Sequence, residues 1–494
     1  MNGLRSFLGV PRQHHRRSPA RRFRRVLTAC AMVICGTVAH ADELVEALAH
    51  AYATNPDIEE ARAKQRAIDE GVPIARAQGL PSLQGAVSFT HYFDPGVNNF
   101  TAPKEQLTES AQISVPIYMG GGARNATNAA HERVLGGRED LAAIEANVFD
   151  EVVQAYLGVI HDEAVLRLNM GNVAALEFNL NATNARFSRG DLSKTDVAQS
   201  TERLELARAQ LRHAEVTLAA SRETYVRWVG EAPGKLQDPP ALIGLPASVD
   251  DAVEAALAAN PDLLSAHRGA HAAHYDTLAA GASRLPKLAL SGSIAYDDYF
   301  GTMGGPLGAY YSQHDKIAGA GVQLTIPLFQ GGLPAAQVRQ AEAKEDAALE
   351  HSISVERQVI DTARSAYFAW RTMHEVIADN EHAVAAADLA VTGVKAGNSI
   401  GERTILDVLN AEQERLNAQV ELETARRDAY IAAFNLLAVM GKATPRDLGL
   451  DVGQIYDPQA HYRRVAGTIW DWGRDPSPVA ASPSTQGIAV QNGD

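Results

Sequence analysis

Long stretches of the chain combine helix-forming residues with apolar positions at helical spacing. No proline occurs between Pro116 and Pro233 or between Pro334 and Pro445. Both stretches are rich in Ala, Glu, Arg, Leu and Gln, which favour helix. A narrow apolar stripe of the kind found in coiled coils is formed by Ile405, Leu406, Val408, Leu409, Leu416, Val420 and Leu422. With breaks near Gly190 and Gly401, the pattern predicts two helical hairpins, with arms at 123–186 and 194–229, and at 335–396 and 403–440.

Two other segments alternate apolar and polar residues with the period of a β-strand. The clearest are 83–90 and 107–117, and a second pair with the same pattern includes 288–294 and 322–326. Aromatic residues cluster near the loop ends of these strands: Tyr92, Phe93, Phe100, Tyr296, Tyr299, Phe300, Tyr310 and Tyr311. This pattern fits a lipid-facing β-barrel with an aromatic girdle. A half-buried soluble sheet gives the same alternation, so the strands alone leave both interpretations open.

The order of these elements occurs twice. Asn55-Pro56 returns as Asn260-Pro261, 205 residues later, whereas Gly190 returns as Gly401, 211 residues later. The extra six residues fall in the predicted β-hairpins, where an exposed loop tolerates insertion. We therefore predict two structural repeats, 42–246 and 247–460, each with an opening helix (about 43–78 and about 249–284), a β-hairpin and a long helical hairpin. A tail follows at 461–494. We expect it to be largely disordered, because it is rich in Pro, Ser, Gly and Gln from about residue 473.

The first 41 residues have the features of an export signal. Eight arginines and no acidic residue precede an apolar run, Val26 to Val38, and Ala39-His40-Ala41 forms an A-x-A cleavage site. Both cysteines, Cys30 and Cys35, lie inside this segment, so cleavage leaves a chain without thiols. Removing the eight arginines lowers the formal charge from −14 to −22. Such an acidic exported protein is a poor candidate for binding nucleic acid or anionic lipid.

No catalytic arrangement or cofactor motif stands out, and we expect neither an enzyme nor a bound cofactor. His267, His271 and His274 have a spacing that places three imidazoles on one helix face. The equivalent positions of the first repeat are Arg62, Arg66 and Asp69, which are polar but do not form a ligand set. We therefore interpret the histidines as a solvated helix face and expect no metal site.

Four strands are too few to close a membrane barrel, which needs about eight, and lipid does not tolerate an open sheet edge. If these strands enter a membrane, the chain must form an oligomer. The fold class we predict is mixed α and β, with long coiled helices and four strands per chain.

The segment 401–413, GERTILDVLNAEQ, is similar to the periplasmic tip motif of the TolC-type outer-membrane efflux proteins. Together with the duplicated plan, the resemblance covers about residues 42–460. The ending PRDLGL at 445–450, followed by Tyr456-Asp457-Pro458 and His461-Tyr462, resembles the branch of that family associated with type I protein secretion.

The resemblance implies a homotrimer in the outer membrane with a 12-stranded β-barrel and a 12-helix α-barrel in the periplasm. It implies a passive export channel for type I protein secretion or small-molecule efflux. The partners it implies are a periplasmic adaptor and an inner-membrane pump that is either an ABC transporter or proton-driven. The alternative from another class is a periplasmic coiled-coil scaffold or adaptor protein.

The resemblance also assigns a periplasmic gate. By motif, a network that holds the inner helical hairpin against the outer one falls on Arg403, Asp196 and Thr195, and Asp407 contributes to an acidic ring. Asn410 stands where the family has the second aspartate of the ring, and Asn398 stands where it has a tip tyrosine. The adaptor contact falls on the hairpin tips, at Gly190, Leu192, Gly401 and Ile405.

Each of these residues also has a plain structural interpretation. Arg403 and Asp407 have the i,i+4 spacing of an ordinary helix surface pair. Asp196 suits the N-terminal turn of a helix, where acidic side chains are favoured. Gly190 and Gly401 suit the backbone of a tight turn.

Overall fold

The computed structural model describes residues 44–94, 103–450, 453 and 455–490. The predicted signal peptide at 1–41 and the girdle residue Phe100 lie outside these residues. The elements follow one another as α1 (Leu44–Thr54), α2 (Pro56–Asp69), α3 (Gly71–Ala77), β1 (Ser82–His91), β2 (Glu105–Tyr118), α4 (Gly122–Ser188), α5 (Lys194–Val229), α6 (Val249–Ala259), α7 (Pro261–Gly281), β3 (Lys287–Asp298), β4 (His314–Thr325), α8 (Leu333–Ser399), α9 (Ile405–Val439) and α10 (Pro458–Val465).

The predicted opening helices are wrong as single helices. The first is broken after Thr54, where the Asn55 side chain accepts a hydrogen bond from the Asp57 backbone N–H and Pro56 takes the first helical position. Asn260 and Pro261 break the second helix in the same way. Asparagine is a favoured N-cap and proline a favoured first helical residue, so each Asn-Pro pair starts a new helix.

The long arms agree with the prediction to within three residues at every end, and α5 agrees at both ends. Each hairpin starts at a pair of glycines with positive φ: Gly120 (64°) and Gly121 (81°), then Gly331 (60°) and Gly332 (82°). Residues other than glycine rarely adopt this left-handed backbone conformation. The Pro-x-x-x-Gly-Gly sequence therefore turns the chain from each strand into its long helix.

The four strands form one antiparallel sheet in the order β1-β2-β3-β4. β2 pairs with β3, so the hairpins of the two repeats share a single sheet whose outer strands are β1 and β4. The register aligns Leu83 with Ile113, and Leu290 with Val322. Because directly opposed residues share a face, the predicted apolar positions all lie on one side. The opposite side carries mostly serine, threonine and glutamine.

The main core lies where the long helices meet the opening helices of the first repeat. Phe149 and Tyr156 of α4, Tyr225 of α5 and Phe434 of α9 are almost fully buried there, with apolar residues of α1 around them. Burial of each such side chain stabilises the fold by roughly 1.5–3 kcal/mol. None of the helices in the described part of the chain combines the length and the apolar character needed to span a bilayer.

The beginning of the tail differs from the expectation of disorder. α10 extends to Val465 and packs against α2, and the His461 imidazole lies 3.3 Å from the buried Asp69 carboxylate. The Arg464 guanidinium bonds the Asp475 carboxylate. Polar and aromatic side chains at the start of the tail therefore fix it to the first repeat, which its composition alone did not reveal.

Candidate functional site

The two hairpin turns lie at the ends of α4 and α8. Gly190 and Gly401 have φ values of 86° and 85°, so both adopt the left-handed backbone and confirm the predicted turn role. Both glycines are exposed, and Leu192 is partly exposed. α5 and α9 each begin four residues after these glycines, and their first turns carry the predicted acidic residues.

Asp196 and Asp407 close matching capping boxes. Asp196 accepts hydrogen bonds from the Ser193 backbone N–H at 2.8 Å and from its hydroxyl at 2.7 Å, and Asp407 accepts the same pair from Thr404 at 2.8 and 2.9 Å. The hydrogen bond from the Ser193 hydroxyl is the main cause that lowers the pKa of Asp196. The Thr404 backbone N–H lowers the pKa of Asp407 in the same way. Both carboxylates therefore stabilise the start of their own helix.

Arg403 lies before the helix in which we predicted it. α9 begins at Ile405 because Thr404 is the N-cap, so Arg403 and Asp407 are not an i,i+4 pair within one helix. The Arg403 backbone N–H bonds the Gly397 carbonyl at 3.3 Å, and its side chain packs over Gly397 at the end of α8. Within the part of the chain that the structure describes, Asp196 bonds only Ser193, and Thr195 is exposed. The expected network with Arg403 is therefore not formed within one chain, and its role in a gate stays a prediction.

Two other arginines join the outer hairpin, α4–α5, to the inner hairpin, α8–α9. The Arg186 guanidinium donates to the Asn398 amide oxygen at 3.0 Å, and Arg203 donates to the Asn410 amide oxygen at 2.8 Å. The asparagines that depart from the family motif are therefore the acceptors that connect the hairpins. Neither arginine was predicted from the sequence.

A signal for one of these pairs was present in the spacing. Arg186 lies four residues before Gly190, and Asn398 lies three residues before Gly401. Residues at similar distances from two parallel hairpin tips reach similar heights, so they are candidates for contact. The pair is not visible when the two repeats are aligned, because the position equivalent to Arg186 in the second repeat is Gly397.

An apolar cluster lies beside these hydrogen bonds and joins the same two hairpins. Its buried members are Leu176, Leu204, Ala207, Ile405, Val408 and Leu409. Ile405 is only 8% exposed, because its side chain packs inside the chain, and its place in an adaptor contact stays a prediction. Ile400, in the α8–α9 turn, is 70% exposed and offers apolar surface at the tip instead. A cleft of about 360 Å³ lies next to the cluster, between α4 and the inner hairpin.

A buried carboxylate holds the inner hairpin together. Glu412 of α9 has a fully buried side chain, which forms ion pairs with Lys395 of α8 and with Arg415, whose Nη2 lies 2.7 Å from Glu412 Oε2. A buried charge is costly unless it is paired, so this trio fixes α8 against α9. The equivalent position of the outer hairpin is Thr201, which is exposed. The trio was not predicted from the sequence, because only Glu412 and Arg415 lie close together along the chain.

The histidines of α7 lie apart from the tip. His267, His271 and His274 are all exposed, which confirms the solvated face, and His274 Nδ1 lies 2.8 Å from the Glu345 carboxylate of α8. Among the residues that the structure describes, no group of three or more His, Cys, Asp or Glu side chains has an arrangement that could hold a metal ion.

The sequence model of the outer membrane efflux protein family matches this chain twice, at residues 47–231 and 252–442. The two matches begin 205 residues apart and end 211 apart, which reproduces the offsets of the repeat. The chain belongs to the outer membrane efflux protein family. The protein is therefore located in the outer membrane, and its general function is that of an efflux channel in that membrane.

Two curated members of the family are similar over most of their length. The outer membrane efflux protein BepC of Brucella suis is 32% identical over 445 residues, which are 89% of this chain and 95% of BepC. The outer membrane protein TolC of Escherichia coli is 26% identical over 436 residues, or 83% of this chain and 85% of TolC.

A solved structure supports the fold independently of close sequence similarity. The crystal structure of CusC, whose description concerns transmembrane channel formation, superposes with a TM-score of 0.72 at 17% identity. The match covers 81% of this chain and 92% of the CusC chain. At this identity, the similarity shows the fold alone.

Proposed function

We propose that three copies of this chain form a passive export duct through the outer membrane and across the periplasm. The four-stranded sheet is the observation that carries this proposal. Within the described residues of one chain, its outer strands, β1 and β4, have no strand beyond them, and apolar side chains such as Leu83 and Val322 are more than two-thirds exposed. Neither an open edge nor its unpaired backbone groups are tolerated in lipid, so β1 of one copy pairs with β4 of the next. Three copies supply twelve strands and close the ring.

The long helices extend the same ring into the periplasm and carry the gate at their tips. In the closed state, the Arg186–Asn398 and Arg203–Asn410 hydrogen bonds hold the inner hairpin against the outer one, beside the apolar cluster. Arg403, Asp196, Thr195 and Asp407 complete the gate by contacts between neighbouring copies. Opening separates α8–α9 from α4–α5 at the cleft that already lies between them.

The duct performs no chemistry, and its energy comes from a pump. A periplasmic adaptor contacts the exposed tips at Gly190, Leu192 and Gly401, and the adaptor joins the channel to an inner-membrane pump that is either an ABC transporter or proton-driven. The pump selects the cargo, a secreted protein or a small molecule, because a duct wall of small polar residues is permissive. The scaffold or adaptor alternative is not favoured, because both repeats match the outer membrane efflux family.

Detergent extraction of the membrane fraction followed by native mass determination tests the assembly. We expect a trimer of the mature chain in the outer-membrane fraction. A monomer in the soluble periplasmic fraction would contradict the proposal and favour the scaffold alternative.

Single-channel conductance in planar bilayers tests the gate. We expect the double variant Arg186→Ala/Arg203→Ala to conduct at least about twice as well as the wild type, because each lost charge-assisted hydrogen bond weakens the closed state by roughly 1 kcal/mol. Arg403→Ser, tested separately, should raise conductance if this residue contacts a neighbouring copy. Arg208→Ala is the matched control, since among the described residues Arg208 bonds only Glu177 and Glu205, both in the outer hairpin. An unchanged conductance in the double variant would remove the two asparagine contacts from the gate.

A further inference from the structure

The tail after α9 runs along the opening helices of the first repeat in a fixed direction. The Tyr456 backbone N–H bonds the Tyr52 hydroxyl of α1 at 3.2 Å, His461 meets Asp69 at the end of α2, and the Ala466 carbonyl accepts a hydrogen bond from Arg76 of α3 at 2.9 Å. As the residue number in the tail rises, so does that of its partner. The tail therefore advances from α1 towards the start of β1.

Aromatic and cationic contacts fasten the tail on this path. The Arg62 guanidinium lies between the rings of Tyr52 and Tyr456, 4.5 and 4.8 Å from their centroids. Tyr462 packs against the apolar cluster around Val134, with the Arg138 guanidinium 5.4 Å from its ring centroid. The Arg464–Asp475 ion pair then joins α10 to the chain eleven residues further on. The segment between these two residues is held at both ends.

That segment presents an apolar patch with no cover within the described chain. Ile469, Trp470 and Trp472 are 73%, 70% and 78% exposed, and we call these three residues the tail patch. The other two tryptophans, Trp228 and Trp370, pack against buried clusters of the helical body. Large aromatic side chains that are this exposed mark a contact surface.

The tail patch lies near the end of the sheet from which the helices descend. Arg76, which bonds Ala466, is six residues before Ser82, the first residue of β1. Ile469 to Trp472 follow Ala466 by three to six residues, a reach of at most about 10 to 20 Å. At the same end of the sheet, Tyr118 at the end of β2 and Phe329 after β4 are also exposed.

We propose that the tail patch inserts into the phospholipid interface of the periplasmic leaflet of the outer membrane. Tryptophan is enriched at the boundary between water and hydrocarbon, since its ring is apolar and its indole N–H needs a polar partner. Asp471 and Arg474 are both exposed beside the tryptophans, so their charges offset each other and the apolar rings supply the contact with the interface. The patch thus anchors each copy from the periplasmic side, in addition to the strands.

Tryptophan fluorescence of the full chain in phospholipid vesicles tests this contact, because the chain has four tryptophans and two lie in the patch. Vesicles of phosphatidylethanolamine and phosphatidylglycerol are compared with matched vesicles whose acyl chains are brominated near the headgroup. We expect the brominated lipid to remove up to about half of the emission, since Trp470 and Trp472 lie at the interface. Trp228→Phe/Trp370→Phe should lose an even larger share of its emission, and Trp470→Phe/Trp472→Phe should lose almost none.

The aqueous quencher iodide separates the other outcomes in the Trp228→Phe/Trp370→Phe variant. Emission that iodide quenches and brominated lipid does not would place the patch in water and overturn the proposal. Emission protected from both quenchers would place it against a neighbouring copy of the chain, and would also overturn it. Neither result bears on the gate, because the patch lies at the opposite end of the long helices from the tips.

Discussion

α4 and α8 are the same element of the two repeats, with the same length of 67 residues, but they are buried very differently. Twenty residues of α4 are buried, compared with six of α8. α4 packs against α1, α2, α3, α5, α7 and α9, whereas α8 packs against α6, α7 and α9. Duplication therefore gave two similar backbones, and the packing inside one chain made one of them central and the other peripheral.

The side chains follow this difference in packing. Val153 of α4 is fully buried, and the equivalent residue of α8 is Arg364, which is exposed. Leu157 is buried, and its equivalent Phe368 is 58% exposed. The exposed face of α8 thus mixes charged and large apolar residues, which suits an interface with another copy better than a permanently solvated surface.

Replacing a buried residue of α4 by the charged residue at the equivalent position of α8 should have the largest effect on stability. Val153→Arg places the residue of α8 into the core of α4, where it has neither water nor a partner, and we expect it to lower the free energy of unfolding by about 3–5 kcal/mol or to prevent folding. Urea unfolding followed by circular dichroism in detergent measures this. The reciprocal variant Arg364→Val should change the midpoint little. Equal midpoints for Val153→Arg and the wild type would show that the central position of α4 is not what stabilises the chain.

The buried carboxylate of the inner hairpin gives the next largest effect. Glu412→Gln leaves Lys395 and Arg415 without their partner, and we expect a loss of about 1–3 kcal/mol, less than for a fully buried pair because both cations are partly exposed. The same urea titration measures this loss. Thr201→Ala changes the equivalent position of the outer hairpin and should stay within about 0.5 kcal/mol of the wild type. A similar loss from both variants would contradict a difference in how the two hairpins are held.

The smallest effect on stability depends on pH and involves a glutamate that is present at the same position in both repeats. Burial raises the pKa of Glu145 of α4 to about 7, against an opposing effect of Arg62. The folded state therefore favours the protonated form, so this contribution is fully present below about pH 4.5 and is lost as the pH rises through about 7. At pH 8, Glu145→Gln should be more stable than the wild type by at most about 3 kcal/mol, and at pH 4 the two should be equal.

Glu356 of α8 is the matched control for this pH dependence. It occupies the same repeat position as Glu145 but is exposed, so Glu356→Gln should leave the difference between pH 4 and pH 8 unchanged. Unfolding midpoints at the two pH values measure both variants. An equal response of Glu145→Gln and Glu356→Gln would show that the two sites have the same environment despite the difference in packing.

Much of the fold follows from local patterns. The alternation in 83–90 predicts β1, and the long stretches without proline predict the helical arms to within three residues, because both depend on near neighbours along the chain. The Asn-Pro breaks were also readable, since Asn55 and Asn260 have a favoured capping sequence, but their periodicity was interpreted as one continuous helix. The errors at Asn55 and Asn260 therefore come from a capping signal that was present and not used, whereas the break at Glu70 has no side-chain cap.

The candidate site was less predictable, because its contacts join distant parts of the chain. Gly190 and Gly401 were assigned correctly, since a tight turn is a local requirement. The partners of Asn398 and Asn410 were missed, and the expected contact of Arg403 with Asp196 is not formed within one chain. The choice among several arginines near a tip depends on the relative height and rotation of two hairpins, which no local pattern specifies.

The sequence by itself determined the repeat, the helices and strands, and the two faces of the sheet, because each follows from the spacing of apolar residues, prolines and glycines over a few turns. Only the tertiary structure decided which copy of the long helix is buried, which side chains join the hairpins and where the tail lies. These depend on packing between segments far apart in the chain, where a small rotation of a 67-residue helix changes every contact along its length.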